Sequence, residues 1–205
     1  PFILSSQLMN DADKNDQTYD LISSLEHIYQ LKAIPRSGWL QSGIAESGVE
    51  SIAAHSYGMS ILILHLRTVL LSNGVNVERA LSMALVHDIA ESIVGDLTPH
   101  DGVPEATKYA AEASAINQIV NGVQEGDYFL DLWEDFEAVK SPEAKVVKRI
   151  DKLDMLIQAY LYEKKYKMRL DSFWENMNEM FKGSESESIY TYIRTNRFEF
   201  KGNEA

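Results

Sequence analysis

Ala84-Leu85-Val86-His87-Asp88-Ile89-Ala90-Glu91 sets an imidazole and a carboxylate side by side within an apolar run. Burying that pair costs on the order of several kcal/mol unless each group is hydrogen bonded, paired or coordinated. A metal ion satisfies both at once. Two more ligand types lie in apolar-periodic segments of their own, His55 upstream and Asp151 downstream. On a helix His87 and Glu91, four residues apart, share a face, with Asp88 about 100° round from His87. The set His55, His87, Asp88 and Asp151 thus asks three separate helical segments to meet at one point, which is the demand a helical bundle answers.

The pattern around the doublet agrees. Leu21, Leu25, Ile28 and Leu31 predict an amphipathic helix over 17–32, halted before Pro35. The loop 34–48 carries Arg36 and Trp39. From Ile52 to Leu71 the chain is apolar nearly all round, which predicts a helix buried at the centre of a bundle and ending at Asn73-Gly74. Asn76 is suited to cap the doublet's helix, expected to run unbroken from Val77 to about Val94 and to stop at Gly95. Pro104 fits the first turn of a helix reaching about Val120, and a short amphipathic helix is expected over 129–139. Ser141-Pro142-Glu143 is a strong helix start, and Val146, Val147, Ile150, Leu153 and Ile157 line the apolar side of that helix around Asp151 and Asp154. The segment 189–198 stays undecided. No alternating strand pattern occurs, so the expected fold class is all-α, a single domain over 1–205 with its core at about 17–165 and a C-terminal helical extension.

Composition narrows the chemistry. Forty-five per cent of the 205 residues are apolar, enough for a substantial core. The absence of cysteine removes disulfides, thiolate zinc sites and a cysteine nucleophile, leaving oxygen and imidazole as metal ligands. With 31 acidic against 19 basic residues and a formal charge of -12, polynucleotides and anionic membranes should be repelled. No stretch reaches the roughly 20 apolar residues of a membrane span. The expected setting is intracellular and cytoplasmic. Because the chain opens on Pro1 rather than Met, its true start is expected to lie upstream. Two nitrogens and two oxygens suit one divalent ion with open positions, and Mn, Co, Fe, Ni or Mg all stay open as its identity.

His55, then His87-Asp88, then Asp151 resembles the metal signature of the HD-domain metal-dependent phosphohydrolases. Residues 31–39 (LKAIPRSGW), 54–59 (AHSYGM), 85–91 (LVHDIAE), 95–99 (GDLTP) and 151–154 (DKLD) are, in that order, similar to the 5'-deoxynucleotidase branch of that superfamily. The resemblance spans roughly residues 17–165. It implies an HD-domain bundle that hydrolyses deoxyribonucleoside 5'-monophosphates to nucleoside and phosphate, with His55, His87, Asp88 and Asp151 as metal ligands. Glu91 would take a proton from the attacking water or orient it. Asp96 would deliver a proton to the leaving oxygen or orient that water. Arg36 would grip the phosphate, able to do so with two parallel bonds. Trp39 would crowd the sugar where a 2'-hydroxyl would sit, and Thr98 and Pro99 would flank sugar and phosphate. The resemblance also implies a homodimer.

One position departs from the family pattern, which commonly has an acid directly before the first metal histidine. Here it is Ala54, with Glu50 or Glu46 as possible substitutes behind the ring and Asp154 as another group near the centre. Taken singly, Glu91 reads as a surface acid, Asp96 as a turn residue, Arg36 as a solvated charge and Trp39 as core; the spacing to the doublet elevates Glu91 and Asp96, and the resemblance alone elevates Arg36 and Trp39. Two rivals stand beside the deoxynucleotidase reading. One is a phosphohydrolase of another nucleotide, a triphosphate or a signalling nucleotide. The other is a non-catalytic metal- or ligand-binding module, which Ala54 keeps alive.

Overall fold

The structure, a computed structural model, describes residues 11–199, with side chains from residue 17 onward. Among the described residues there is no strand; one isolated antiparallel bridge joins Pro35 to Ser51. The helices are α1 (Asp11–Gln30), α2 (Ser37–Gln41), α3 (Ile52–His65), α4 (Arg67–Ser72), α5 (Val77–Val86), α6 (Glu91–Val94), α7 (Glu105–Val120), α8 (Gly126–Ala138), α9 (Pro142–Tyr166), α10 (Asn178–Phe181) and α11 (Glu187–Thr195).

Three of the starts are fixed by their caps. Ser51 accepts from the Ala54 N–H, Asn76 from Arg79 and Ser141 from Ala144, each relieving a donor that the first helical turn leaves without a partner. Pro142 follows in the first helical position of α9, where its missing N–H costs nothing. α3, α5 and α9 pack on one another at the centre, α8 covers α5 and α9, and α7 holds α1, α6 and α8. Ile52, Met59, Ile63, Met83, Val147, Ile150, Leu153 and Leu156 fill the space between them.

Four expectations change. The apolar run 52–71 is not one helix buried all round. It breaks at Leu66 (φ -89°, ψ 2°), and Tyr57, Leu64 and Leu71 face outward, because α5 and α9 take only one side of α3. The doublet's helix is also interrupted. After Val86 the chain tightens to three-residue bonds, Ile89 N–H to Val86 O at 3.1 Å and Glu91 N–H to Asp88 O at 3.0 Å. Side chains three apart eclipse in such a turn, which sets Glu91 on the side of Asp88, whose charge acts on it. Pro104 precedes α7 instead of lying in its first turn, and α8 starts three residues before the expected Phe129. The undecided segment 189–198 is helical as far as Thr195. α11 packs on α9, and Arg197 beyond it pairs with the fully buried Glu163 and lies 4.4 Å over the Trp174 ring.

Candidate metal centre

The first turn of α3 supplies His55, the tightened turn after α5 supplies His87 and Asp88, and the middle of α9 supplies Asp151. The four side chains meet. His55 has no exposed surface; its Nε2 lies 3.3 Å from Asp151 Oδ1 and 4.0 Å from Asp88 Oδ2. His87 Nε2 lies 3.0 Å from Asp88 Oδ2. Each ring is held at its other nitrogen, His55 Nδ1 at 2.8 Å from Asp154 Oδ2 and His87 Nδ1 at 2.9 Å from Ala84 O, and Phe136 packs at 4.9 Å against the His87 ring.

Both Nε2 atoms and Glu91 Oε2 are buried without a hydrogen-bond partner. Buried polar atoms left in that state are rare and ask for an explanation. One atom each from His55, His87 and Asp151 lies within 4.8 Å of the others, and Asp88 reaches towards both histidines. Two anchored imidazoles with two carboxylates between them fit a divalent ion of the borderline class.

Charge distribution favours the same use. Burial should raise the Asp88 and Asp151 carboxyls, yet both are held below the usual carboxylate range, Asp88 by His87, Arg36 and His55, Asp151 by Lys152, His55 and His87. Both stay ionised as ligands must. Burial and Arg36 push the His55 imidazole down, but Asp151 and Asp154 outweigh them and lift it to about 9. Glu91 moves opposite to Asp88 and Asp151. Burial, then Asp88 and Asp96, raise its carboxyl well above the ordinary range.

Around this centre the remaining sequence candidates separate. Arg36 Nη1 lies 3.4 Å from Asp88 Oδ2, and although burial opposes its charge, Asp88, Asp96, Asp151 and Glu91 together hold it firmly cationic. Asp96 Oδ2 accepts the Ser37 backbone N–H at 2.6 Å, which ties the Arg36 loop to the segment after α6. Thr98 caps a 3₁₀ turn over Pro99–Asp101, with its Oγ1 2.9 Å from Gln41 Oε1; Pro99 is exposed and no hydrogen bond or ion pair links either residue to the four ligands. Trp39 is only 2% exposed, stacked on Phe173 at 4.4 Å, edge-on to Tyr162 at 5.3 Å and donating its indole N–H to Glu50. It backs the Arg36 loop from the core and turns no broad face to a ligand.

Two residues of the site escaped sequence reasoning. Lys108 on α7 donates to Leu97 O at 2.9 Å and lies close enough to act electrostatically on Glu91, Asp88 and Asp96. An alanine-rich helix gave no sign of it. Phe173, 134 positions beyond Trp39 in the chain, carried no local signal either.

Fold and site together describe an all-helical protein in which two histidines and two carboxylates, able to hold a metal ion, meet beneath an arginine. The chain belongs to the HD domain family, whose sequence model matches residues 28–190. It is 40% identical to the 5'-deoxynucleotidase HDDC2 of Danio rerio over 146 residues, 70% of each chain. It is 39% identical to the 5'-deoxynucleotidase hdd1 of Schizosaccharomyces pombe over 157 residues, 73% of this chain and 76% of that one. Among solved structures, the PH0347 protein of Pyrococcus horikoshii OT3 superposes with a TM-score of 0.69 at 35% identity, covering 85% of this chain and 96% of its own.

Proposed function

We propose that this protein is a metal-dependent 5'-deoxynucleotidase that hydrolyses deoxyribonucleoside 5'-monophosphates to deoxynucleoside and phosphate. The observation that carries the reading is the pair of buried, unpartnered histidine Nε2 atoms facing Asp88 and Asp151 under Arg36. His55, His87, Asp88 and Asp151 would hold one divalent ion, with Mn, Co, Fe, Ni and Mg all compatible with such donors. The chemistry an ion brings to such a site is polarisation of the phosphoryl oxygen and acidification of water.

The chain's own groups do the rest. Arg36 binds the phosphate by charge and by a fork of N–H donors that matches two of its oxygens. Glu91 takes the proton of the attacking water; a carboxylate lifted above its ordinary range is the stronger base. Water adds to phosphorus, the bond from phosphorus to O5' breaks, and O5' leaves with a proton. Asp96, steadied by the Ser37 N–H, is the carboxylate left to deliver that proton or to orient the water. Thr98 and Pro99 would flank the sugar. Trp39 enters as the support of the Arg36 loop, so any preference for deoxyribose would be exerted through that loop. The same reading includes a homodimer and a cytoplasmic place of action; the outward Tyr57 and Leu64 of α3 offer an apolar face for pairing.

Phosphate release from a panel of nucleotides tests the reading. Deoxynucleoside monophosphates should be turned over best, and preference for triphosphates would overturn it. Glu91→Gln should cut turnover by about 100-fold or more while metal content stays. Unchanged turnover in that variant would remove Glu91 from the chemistry.

A further inference from the structure

We propose that Gly58 and Asp154 form a matched pair that positions His55, the glycine leaving the space through which the Asp154 carboxylate reaches the ring. The proposal rests on the metal-centre reading and concerns what stands behind it. His55 Nδ1 is 2.8 Å from Asp154 Oδ2, and the ring is wholly buried, so water does not compete for that nitrogen. Asp154 follows Asp151 by three residues on α9, which puts both carboxylates on the same side of the helix. Between them they bracket one imidazole, Asp151 at Nε2 and Asp154 at Nδ1.

Gly58 lies three residues after His55 within α3, again on a shared side. Its φ is not among the positive ones, so the backbone does not require glycine there, and glycine inside a helix costs about 1 kcal/mol relative to alanine. The surroundings supply the reason. A Cβ at position 58 would stand 2.3 Å from Asp154 Oδ1 and 3.0 Å from its Cγ, closer than atoms pack. A side chain there would force the Asp154 carboxylate to move from its position against the ring.

Of the acids near the ring, Asp154 is the one hydrogen bonded to it: the residue before His55 is Ala54, Glu46 is exposed, and Glu50, within 4.8 Å of His55 and Asp154, accepts the Trp39 indole N–H at 2.9 Å. In the neutral ring a metal ligand requires, Nδ1–H given to Asp154 would leave the Nε2 lone pair for the side facing Asp151 and Asp88. A carboxylate behind a ligating histidine fixes ring and tautomer, and its loss typically weakens metal binding about 10–100-fold.

Calorimetric titration of chelator-stripped protein with Mn²⁺, and the visible absorption of the Co²⁺-loaded form, test the pair without reference to turnover. Asp154→Ala should weaken Mn²⁺ binding about 10–100-fold and alter the Co²⁺ spectrum. Asp154→Asn, which keeps an oxygen acceptor but not the charge, should lie between the two. Gly58→Ala should weaken binding in the wild-type background and add nothing to Asp154→Ala, since the obstructing carboxylate is then gone. Should Asp154→Ala fail to fold by circular dichroism, the Asp154→Asn variant carries the test. Wild-type affinity and spectrum in the Asp154 variants would overturn the proposal while leaving the metal centre intact, and simple addition of the two effects would overturn the part given to Gly58. A wild-type protein that takes up neither ion overturns the metal centre and the pair with it.

Discussion

On the proposed reading substrate binding turns on Arg36, the guanidinium set among Asp88, Asp96, Asp151 and Glu91. A phosphate dianion approaching those carboxylates meets repulsion unless Arg36 answers it. Arg36→Ala should therefore raise KM for a deoxynucleoside monophosphate about 10–100-fold, the loss of a charged hydrogen bond of ~1.5–3 kcal/mol, with a smaller change in kcat. Arg36→Lys should recover only part, since an ammonium lacks the planar fork. Steady-state kinetics decides, and a KM unchanged in Arg36→Ala would remove the arginine from the phosphate site. His55, His87, Asp88, Asp151 and Arg36 could be singled out in the sequence because each is a polar type set at a conspicuous place, and the structure brings the five side chains near one another. Trp39 was misleading for a physical reason: whether an indole face is open depends on Phe173 and Tyr162, which fold onto it from distant parts of the chain. Asp154 could be placed on the same side of its helix as Asp151, but not against His55, since Gly58 makes that contact possible from another helix.

Between elements, the segment from Gly95 to Thr98 depends on its neighbours for its position. Ser37 N–H holds the Asp96 carboxylate from one side, and Lys108 of α7 holds Leu97 O from the other at 2.9 Å. Glu112, one turn on, stands 3.6 Å from the Lys108 ammonium and steadies it. Lys108→Met removes the tie and a positive charge near Glu91 and Asp96 but keeps the length of the side chain. The expected result is a fall in kcat of about tenfold, ~1.4 kcal/mol, with partial recovery in Lys108→Arg and little change in Mn²⁺ affinity. Turnover equal to wild type would show that the segment keeps its place without α7. Helix starts were readable at this scale because caps are local chemistry: Ser51, Asn76 and Ser141 each accept a bond from three residues on. The breaks were not, since Leu66 and the turn at 87–91 interrupt runs whose composition is helical throughout. At the second break the tightened turn carries His87 and Asp88, His87 Nε2 lying 3.0 Å from Asp88 Oδ2, and brings Glu91 close enough to Asp88 for that charge to help raise its carboxyl.

At the scale of the whole molecule, the centre is only as well formed as the packing of α3, α5 and α9, and one carboxylate fastens two of these to α8. Asp135 of α8 accepts from Arg79 Nη2 of α5 at 2.8 Å through one oxygen and from the Ser141 N–H at the start of α9 at 2.9 Å through the other. Burial would raise the Asp135 carboxyl, but Arg79 and Ser141 outweigh it and hold it below its ordinary 3.8. The folded protein therefore takes up this proton less readily than the unfolded chain. The stabilisation is present in full above the unfolded value and is lost as pH falls through the folded one. Asp135→Asn mimics the neutral acid. Near neutral pH it should be less stable than wild type by about 1–3 kcal/mol in urea unfolding, the penalty for weakening a buried charged acceptor. As pH falls below about 4 the two unfolding curves should converge, because wild type comes to carry the neutral group as well. Acid protonation of the other carboxylates shifts both proteins alike, so the difference between them isolates Asp135. A stability gap that persists unchanged from neutral pH into that acid range would mean that the charge on Asp135 does not help to fasten the three helices.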